Sequence, residues 1–198
     1  MNDEHTRTGP GGRPRSEEAR TAVLHAVDDL LLEVGYAAMT MKDIAARAGV
    51  SRQTVYRWWS TKAEILLEAT VDDARGELTV SPHDDPIDDV ASYLEALIRF
   101  LTRSGTGAGY RALVGEAQHD TAVAELLREH DILGDSARVV IERSLGARLG
   151  GTTPDEAAAS LVGPIFYGVL SGRHDTTDGT RARAEAFVRG LESHQESA

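Results

Sequence analysis

Between Thr40 and Lys62 the chain reads TMKDIAARAGVSRQTVYRWWSTK, and these residues dictate a short helix, a tight turn, a second short helix and the start of a third. Thr40-Met41-Lys42-Asp43 opens as a capping box does, a hydroxyl residue followed three places on by an acidic one. Gly49-Val50 ends that helix after Ala48, because glycine accepts the left-handed backbone that terminates helices. Ser51 caps the next helix, which ends around Trp58, and Thr61-Lys62-Ala63-Glu64 is a second box, opening a helix that runs to about Leu78. Ile44, Ala45, Ala48, Val50 and Val55 are spaced to form a small apolar core that sets the angle between the two short helices. Arg52, Gln53, Thr54, Tyr56 and Arg57 are left on the outside. A helix with such a face fits the major groove of DNA, where each base pair presents its own donor and acceptor pattern. The plan is that of a helix-turn-helix.

Outward from this stretch the 3.6-residue apolar period recurs while strand signals stay weak, so the expected fold is all-α with about nine helices. The first helix is expected near Ser16, with Glu17 and Glu18 in its first turn, Val23, Val27, Leu30, Leu31 and Val34 buried, and Gly35 as its stop. Two prolines make residues 81–86 a break. Beyond it Val90, Tyr93, Leu94, Leu97, Ile98 and Leu101 share one helical face. The glycines of residues 104–109 predict a loop and residues 110–120 a helix; Val123, Leu126, Leu127, His130, Leu133, Ala137, Val140, Ile141 and Leu145 keep one phase, predicting a single long helix bent at Gly134. Thr153-Pro154-Asp155-Glu156 opens a helix to about Leu170, a polar loop spans residues 172–179, and Ala184, Phe187, Val188 and Leu191 mark the last helix. The division expected is a disordered basic arm over residues 1–15, a DNA-binding domain over 16–62, and a helical body for effector binding and dimerisation over 63–198.

The formal net charge of -11 is unevenly spread: residues 1–62 hold nine basic and eight acidic side chains, leaving the negative excess to the body. A nearly neutral head can still present a basic face. The absence of cysteine excludes disulfides, thiolate nucleophiles and cysteine-bound zinc, and fits a reducing cytoplasm. The N-terminus lacks the apolar run of a secretory signal, and the longest uncharged apolar stretch, residues 161–171, falls short of the roughly 18 residues of a span. A cytoplasmic protein with no membrane partner is expected. His83, His119, His130 and His174 each precede an aspartate, as in metal-dependent phosphohydrolases, but no His-x-x-x-His or His-Glu-x-x-His spacing accompanies them. No catalytic residue, metal ligand or cofactor is therefore expected, and the chain does not read as an enzyme.

The stretch MTMKDIAARAGVSRQTVYRWWSTKAEILLEA resembles the signature of TetR-family (tetracycline-repressor-like) transcriptional regulators, including its Tyr-x-x-Trp run and the lysine opening the fourth helix. GRPRSEEAR, ahead of the first helix, is typical of that family, and ASLVGPIFYGVL resembles a C-terminal domain common in one of its subgroups. Gln53 departs from the pattern, standing where a small residue is frequent, and so does the loop Gly172-Arg173-His174-Asp175. The resemblance implies a sequence-specific DNA-binding regulator, a repressor released by an unidentified small-molecule effector, whose partners are a double-stranded operator of palindromic half-sites and a second copy of itself. Carried onto this sequence, it implies that Thr40 and Lys62, each at a helix N-terminus, hold phosphates. Arg52 and Gln53 suit guanine and adenine edges, Tyr56 a phosphate or a thymine methyl, and Ser51, Thr54 and Arg57 complete the contact set. Arg13 and Arg15 would follow the backbone or enter the minor groove. Trp58 and Trp59 suit helix-end packing better than DNA contact, and Arg47 and Arg57 each suit phosphate contact and solvated surface equally.

An effector pocket in such a protein is a gap between body helices, for which Tyr93, Leu97, Phe100, Tyr110, Gln118, His119, His130 and Phe166 are candidates, although stripes of this kind also make plain core. An architectural DNA binder that senses nothing is the alternative. For dimerisation, residues 161–170 carry no charge on any face, and a helix apolar all round must be covered on both sides. Leu161, Gly163, Pro164, Ile165, Tyr167 and Gly168, with Phe187 and Leu191 of the last helix, are the expected interface.

Overall fold

The computed structural model describes residues 13–173 and 177–195, all helix and connecting turns. The helices are α1 (Arg13–Ala38), α2 (Met41–Arg47), α3 (Arg52–Trp58), α4 (Lys62–Leu78), α5 (Pro86–Arg103), α6 (Gly105–Ala117), α7 (Thr121–Glu129), α8 (Ile132–Leu145), α9 (Pro154–Leu170) and α10 (Thr180–Gln195), with a single 3-10 turn at Gly146–Arg148. They form two compact units, one ending at Leu66 and the other beginning at Leu67. Among the described residues no helix is long and apolar enough to cross a membrane.

In the first unit α1 starts at Arg13, earlier than Ser16, so Arg13 and Arg15 belong to its first turn. Pro14 is tolerated there because the first N–H groups of a helix have no intrahelical acceptor. The rest of the expected arm lies outside the described residues. Gly35, at φ 75° and ψ 164°, interrupts α1 as its position signalled. Val23, Val27 and Leu30 are buried together with Ala26, whereas Val34, next to the break, is exposed. Ile44, Ala45 and Val55 join the same core, along with Trp59.

In the second unit α5 is the centre, packed against α6, α8, α9 and α10, while α8 lies on α9 and α6 on α7. Every residue of its predicted stripe is buried, and so are Ala91, Ala96 and Phe100. Two segments of this unit differ from the sequence expectation. Residues 104–109 are not a loop: Ser104 ends α5 and caps α6 by accepting the Gly107 N–H at 3.2 Å. A Cβ on Gly107 would stand 1.8 Å from the Phe100 carbonyl oxygen, so this glycine permits close helix approach instead of breaking a helix. Nor is there one long helix from Val123 to Leu145. The chain breaks at His130, and Asp131 caps α8 by accepting the Gly134 N–H at 3.0 Å. Gly134 leaves room for that carboxylate, since a Cβ there would meet the Asp131 Oδ2 at 1.9 Å. Helix α9 opens on the expected box: the Glu156 N–H donates to Thr153 Oγ1 and the Thr153 N–H to Glu156 Oε2, at 3.2 and 2.9 Å.

Candidate nucleic-acid interface

Two caps and one glycine build the site. Thr40 accepts the Asp43 N–H at 3.2 Å and starts α2. At the far end Gly49 turns at φ 68°, with its own N–H on the Ala46 carbonyl and the Val50 N–H on that of Ala45, the paired bonds of a Schellman turn. Ser51 then accepts the Thr54 N–H at 3.1 Å and exchanges a hydroxyl bond with Thr54 at 2.9 Å, committing both side chains to the cap of α3. Val55 points inward, and Arg52, Gln53, Tyr56 and Arg57 point out, Tyr56 being 54% exposed. The Arg57 guanidinium lies 4.8 Å over the Trp58 ring, and Trp58 meets the buried Trp59 edge-on at 5.5 Å, so the tryptophan pair packs the end of the helix.

The cations of this head divide into braced and unbraced. Arg47 reaches Glu33 with two bonds of 2.9 and 2.5 Å and stands 3.6 Å from Asp29, fastening the end of α2 to α1. Lys62 donates from Nζ to the Tyr36 and Met39 carbonyls at 2.7 and 3.1 Å and lies 4.2 Å over the Tyr36 ring. It fastens the start of α4 to the end of α1 and the segment that follows it, a role the sequence did not signal, and has one N–H left. Arg52 and Lys42, both exposed, enter no ion pair among the described residues. Lys42 was not singled out from the sequence; an exposed lysine beside the Thr40 cap is the available signal. Arg13 and Arg15 stand in the first turn of α1.

The pocket candidates divide in the same way. Tyr93, Leu97 and Phe100 are fully buried on α5, the Tyr93 hydroxyl bonding to the Leu133 carbonyl and Ser136 Oγ at 3.1 and 3.0 Å. Gln118 and His119 are exposed at the end of α6, with Gln118 Nε2 on the Val114 carbonyl. A cavity of about 320 Å³ lies between α4 and α8, walled by Val71, Ala74 and Leu78 on one side and Ile132, Val139 and Val140 on the other. His130, Ser136 and Arg143, with Arg75, Thr79 and Asp135, are its polar points; Tyr110 and Phe166 line a different cavity. Arg143 is held by Asp89, 1% exposed, through bonds of 2.8 and 2.6 Å, and donates a third to the Val80 carbonyl at 3.1 Å. Burial alone would raise the Asp89 carboxyl, but the Arg143 fork and the His83 N–H outweigh it and hold the group below the usual carboxylate range. No sequence signal links these two residues, 54 positions apart.

Of the expected interface residues, Leu161, Ile165, Gly168 and Leu191 are already buried within one chain, and Phe187 is half-buried. Gly163, Pro164 and Tyr167 are exposed and form one α9 face with Leu170.

A capped helix with an outward polar face, held against a second by a glycine turn, defines this unit as a helix-turn-helix DNA-binding head. Residues 23–69 match the model of bacterial regulatory proteins of the tetR family, and residues 80–189 that of the tetracyclin repressor-like C-terminal domain. The HTH-type transcriptional regulator YdeS of Bacillus subtilis is 34% identical, covering 91% of this chain and 89% of its own length. The HTH-type transcriptional repressor Rv3405c of Mycobacterium tuberculosis is 37% identical over 71% of this chain and 68% of its own. The crystal structure of the TetR family transcription regulator SCO0332 superposes with a TM-score of 0.68 at 26% identity, covering 87% and 98% of the two chains. The chain belongs to the tetR family of transcriptional regulators, sequence-specific DNA-binding proteins that are typically repressors with ligand-binding C-terminal domains.

Proposed function

We propose that this regulator acts in the cytoplasm as a homodimer, occupying a palindromic operator whose half-sites lie about 34–36 Å apart, and leaves it when a small molecule fills the α4–α8 cavity. The exposed face of α3 carries the reading: Arg52 and Gln53 are presented to solvent without an internal partner among the described residues, as base-reading side chains must be. Thr40, Ser51 and Thr54 hold the helices and offer hydroxyls near the phosphates, with Tyr56 and Arg57 beside them. Lys62 gives its remaining N–H to a phosphate, and Arg13 and Arg15 follow the duplex from the start of α1.

Sensing is assigned to the α4–α8 cavity because a mostly apolar wall with a few fixed polar groups is what small-molecule sites share. Helix α4 runs unbroken from Lys62, in the first unit, to Leu78 on the cavity wall. Dimerisation is assigned to the exposed α9 face of Gly163, Pro164, Tyr167 and Leu170, with Phe187 at its margin. The motif at residues 161–167 belongs with a subgroup of the family sharing this C-terminal domain. The test is to sequence genomic fragments retained by the purified protein and titrate the recovered duplex: two symmetric half-sites support the reading, and fragments without common sequence refute it. Val139→Trp, filling the cavity mouth, should leave operator affinity unchanged while abolishing release by the effector.

A further inference from the structure

A second cavity, of about 620 Å³, opens between α6, the start of α8 and the flank of α9 next to its exposed face. It shares only Asp135 with the α4–α8 cavity. Tyr110 and Phe166 stand on its wall with ring centroids 6.2 Å apart and planes inclined by 64°. Tyr110 is 9% exposed, and among the described residues nothing bonds its hydroxyl. No buried side-chain nitrogen or oxygen among those residues is both sealed from solvent and unbonded. The Tyr110 hydroxyl is therefore open to the cavity its residue lines, with an unmet capacity to accept and donate.

The charges around it are unbalanced. Glu129, Asp131, Asp135 and Asp155 line the cavity against Arg128 and Arg138. Arg138 is tied to Asp135 and Asp155 and also lies within reach of the Asp131 charge, so the wall sets four carboxylates against two guanidiniums, one of them already doubly paired. Asp131 uses one oxygen to cap α8. Burial first, and then the Asp131 charge, push the Tyr110 phenol above its ordinary range, placing that carboxylate within electrostatic reach of the ring and keeping the phenol neutral.

We propose that this cavity binds an organic ammonium ion carrying an aromatic or branched apolar group. The faces of Phe166 and Tyr110 take the apolar part and, being electron-rich, favour the cation beside them. The Tyr110 oxygen accepts one ammonium N–H, and Asp131 with Glu129 supplies the opposing charge. An anionic guest meets this carboxylate excess, and a neutral one forgoes the charge term.

Calorimetric titration of the full chain at neutral pH with phenethylamine, phenethyl alcohol and hydrocinnamate tests this, because the three share a ring and differ in charge. The amine should bind about tenfold more tightly than the alcohol, and the acid most weakly. Asp131→Asn, which keeps a capping side chain, should weaken the amine about fivefold and remove its advantage over the alcohol. Tyr110→Phe should weaken amine and alcohol alike. Val139→Trp should leave amine binding intact, so that failure of the α4–α8 effector reading and failure of this one remain distinct. Hydrocinnamate binding as tightly as the amine, an amine preference that survives Asp131→Asn, loss of amine binding in Val139→Trp, or no heat from any probe up to millimolar concentration would each overturn the proposal.

Discussion

Arg52 and Lys62 are both cations of the head, but the structure holds them differently, so their removal should be distinguishable. Among the described residues Arg52 has no internal partner to lose; Arg52→Ala should leave the melting temperature unchanged and cost about 1–3 kcal/mol on the operator, with much less on random duplex. Lys62 has two carbonyls and an aromatic face. Lys62→Ala should lower stability by about 1–2 kcal/mol and weaken every duplex alike, flattening the salt dependence by about one unit of slope. Thermal melts with titrations at two salt concentrations read both; a uniform loss from Arg52→Ala would move base reading to Gln53, Thr54 and Tyr56. In the body, Asp89→Asn leaves Arg143 without its counter-charge and should cost about 3 kcal/mol. The native Asp89 carboxyl is depressed, so its contribution is complete above the unfolded value of about 4 and disappears as pH falls through the lower folded value. Acid melts of the wild type should show that loss; a variant with the same acid slope would contradict it.

Each short helix of the head is specified by its ends. A helix of seven residues is too short to persist unaided, so α2 and α3 depend on the Thr40 and Ser51 caps and on their packed residues. Ser51→Ala should cost about 1 kcal/mol of head stability and weaken DNA binding through disorder of α3, visible as faster amide exchange there. Helix α6 has a different dependence. Gly107→Ala forces a Cβ into the Phe100 carbonyl and should destabilise the body by about 1–3 kcal/mol, while Gly105→Ala, with open space around it, should be neutral or slightly stabilising. Chemical denaturation of both variants checks this, and equal effects would mean that the α5–α6 approach is not what demands glycine.

At the level of the whole molecule the exposed α9 face is the one proposed for dimerisation. Tyr167 is 64% exposed, with Arg173 donating to its hydroxyl, whereas Ile165 is buried in its own chain. Tyr167→Asp should therefore give a folded monomer that has lost operator affinity, and Ile165→Asp an unfolded or insoluble chain. Sedimentation and circular dichroism separate the two results; a Tyr167→Asp dimer of unchanged mass would remove α9 from the interface.

The head was legible in the residues because its determinants are local: caps three residues from the N–H groups they satisfy, glycines at the two positive-φ turns, and an apolar spacing that a helix converts directly into a core. The opening box of α9 and the buried stripe of α5 were legible for the same reason. Local reading failed where a distant or competing group overrode propensity. The glycine run before Tyr110 is helical because Ser104 caps it, with glycine at 107 because a side chain there would meet the Phe100 carbonyl, and the apolar phase across His130 is broken because Asp131 turns to cap α8. The pairing of Asp89 with Arg143, the division of Lys62 from Arg52, the two cavities and the α9 face left uncovered depend on which helices meet. Apolar periodicity specifies that a face is buried but not against what, so only the packed body decided them.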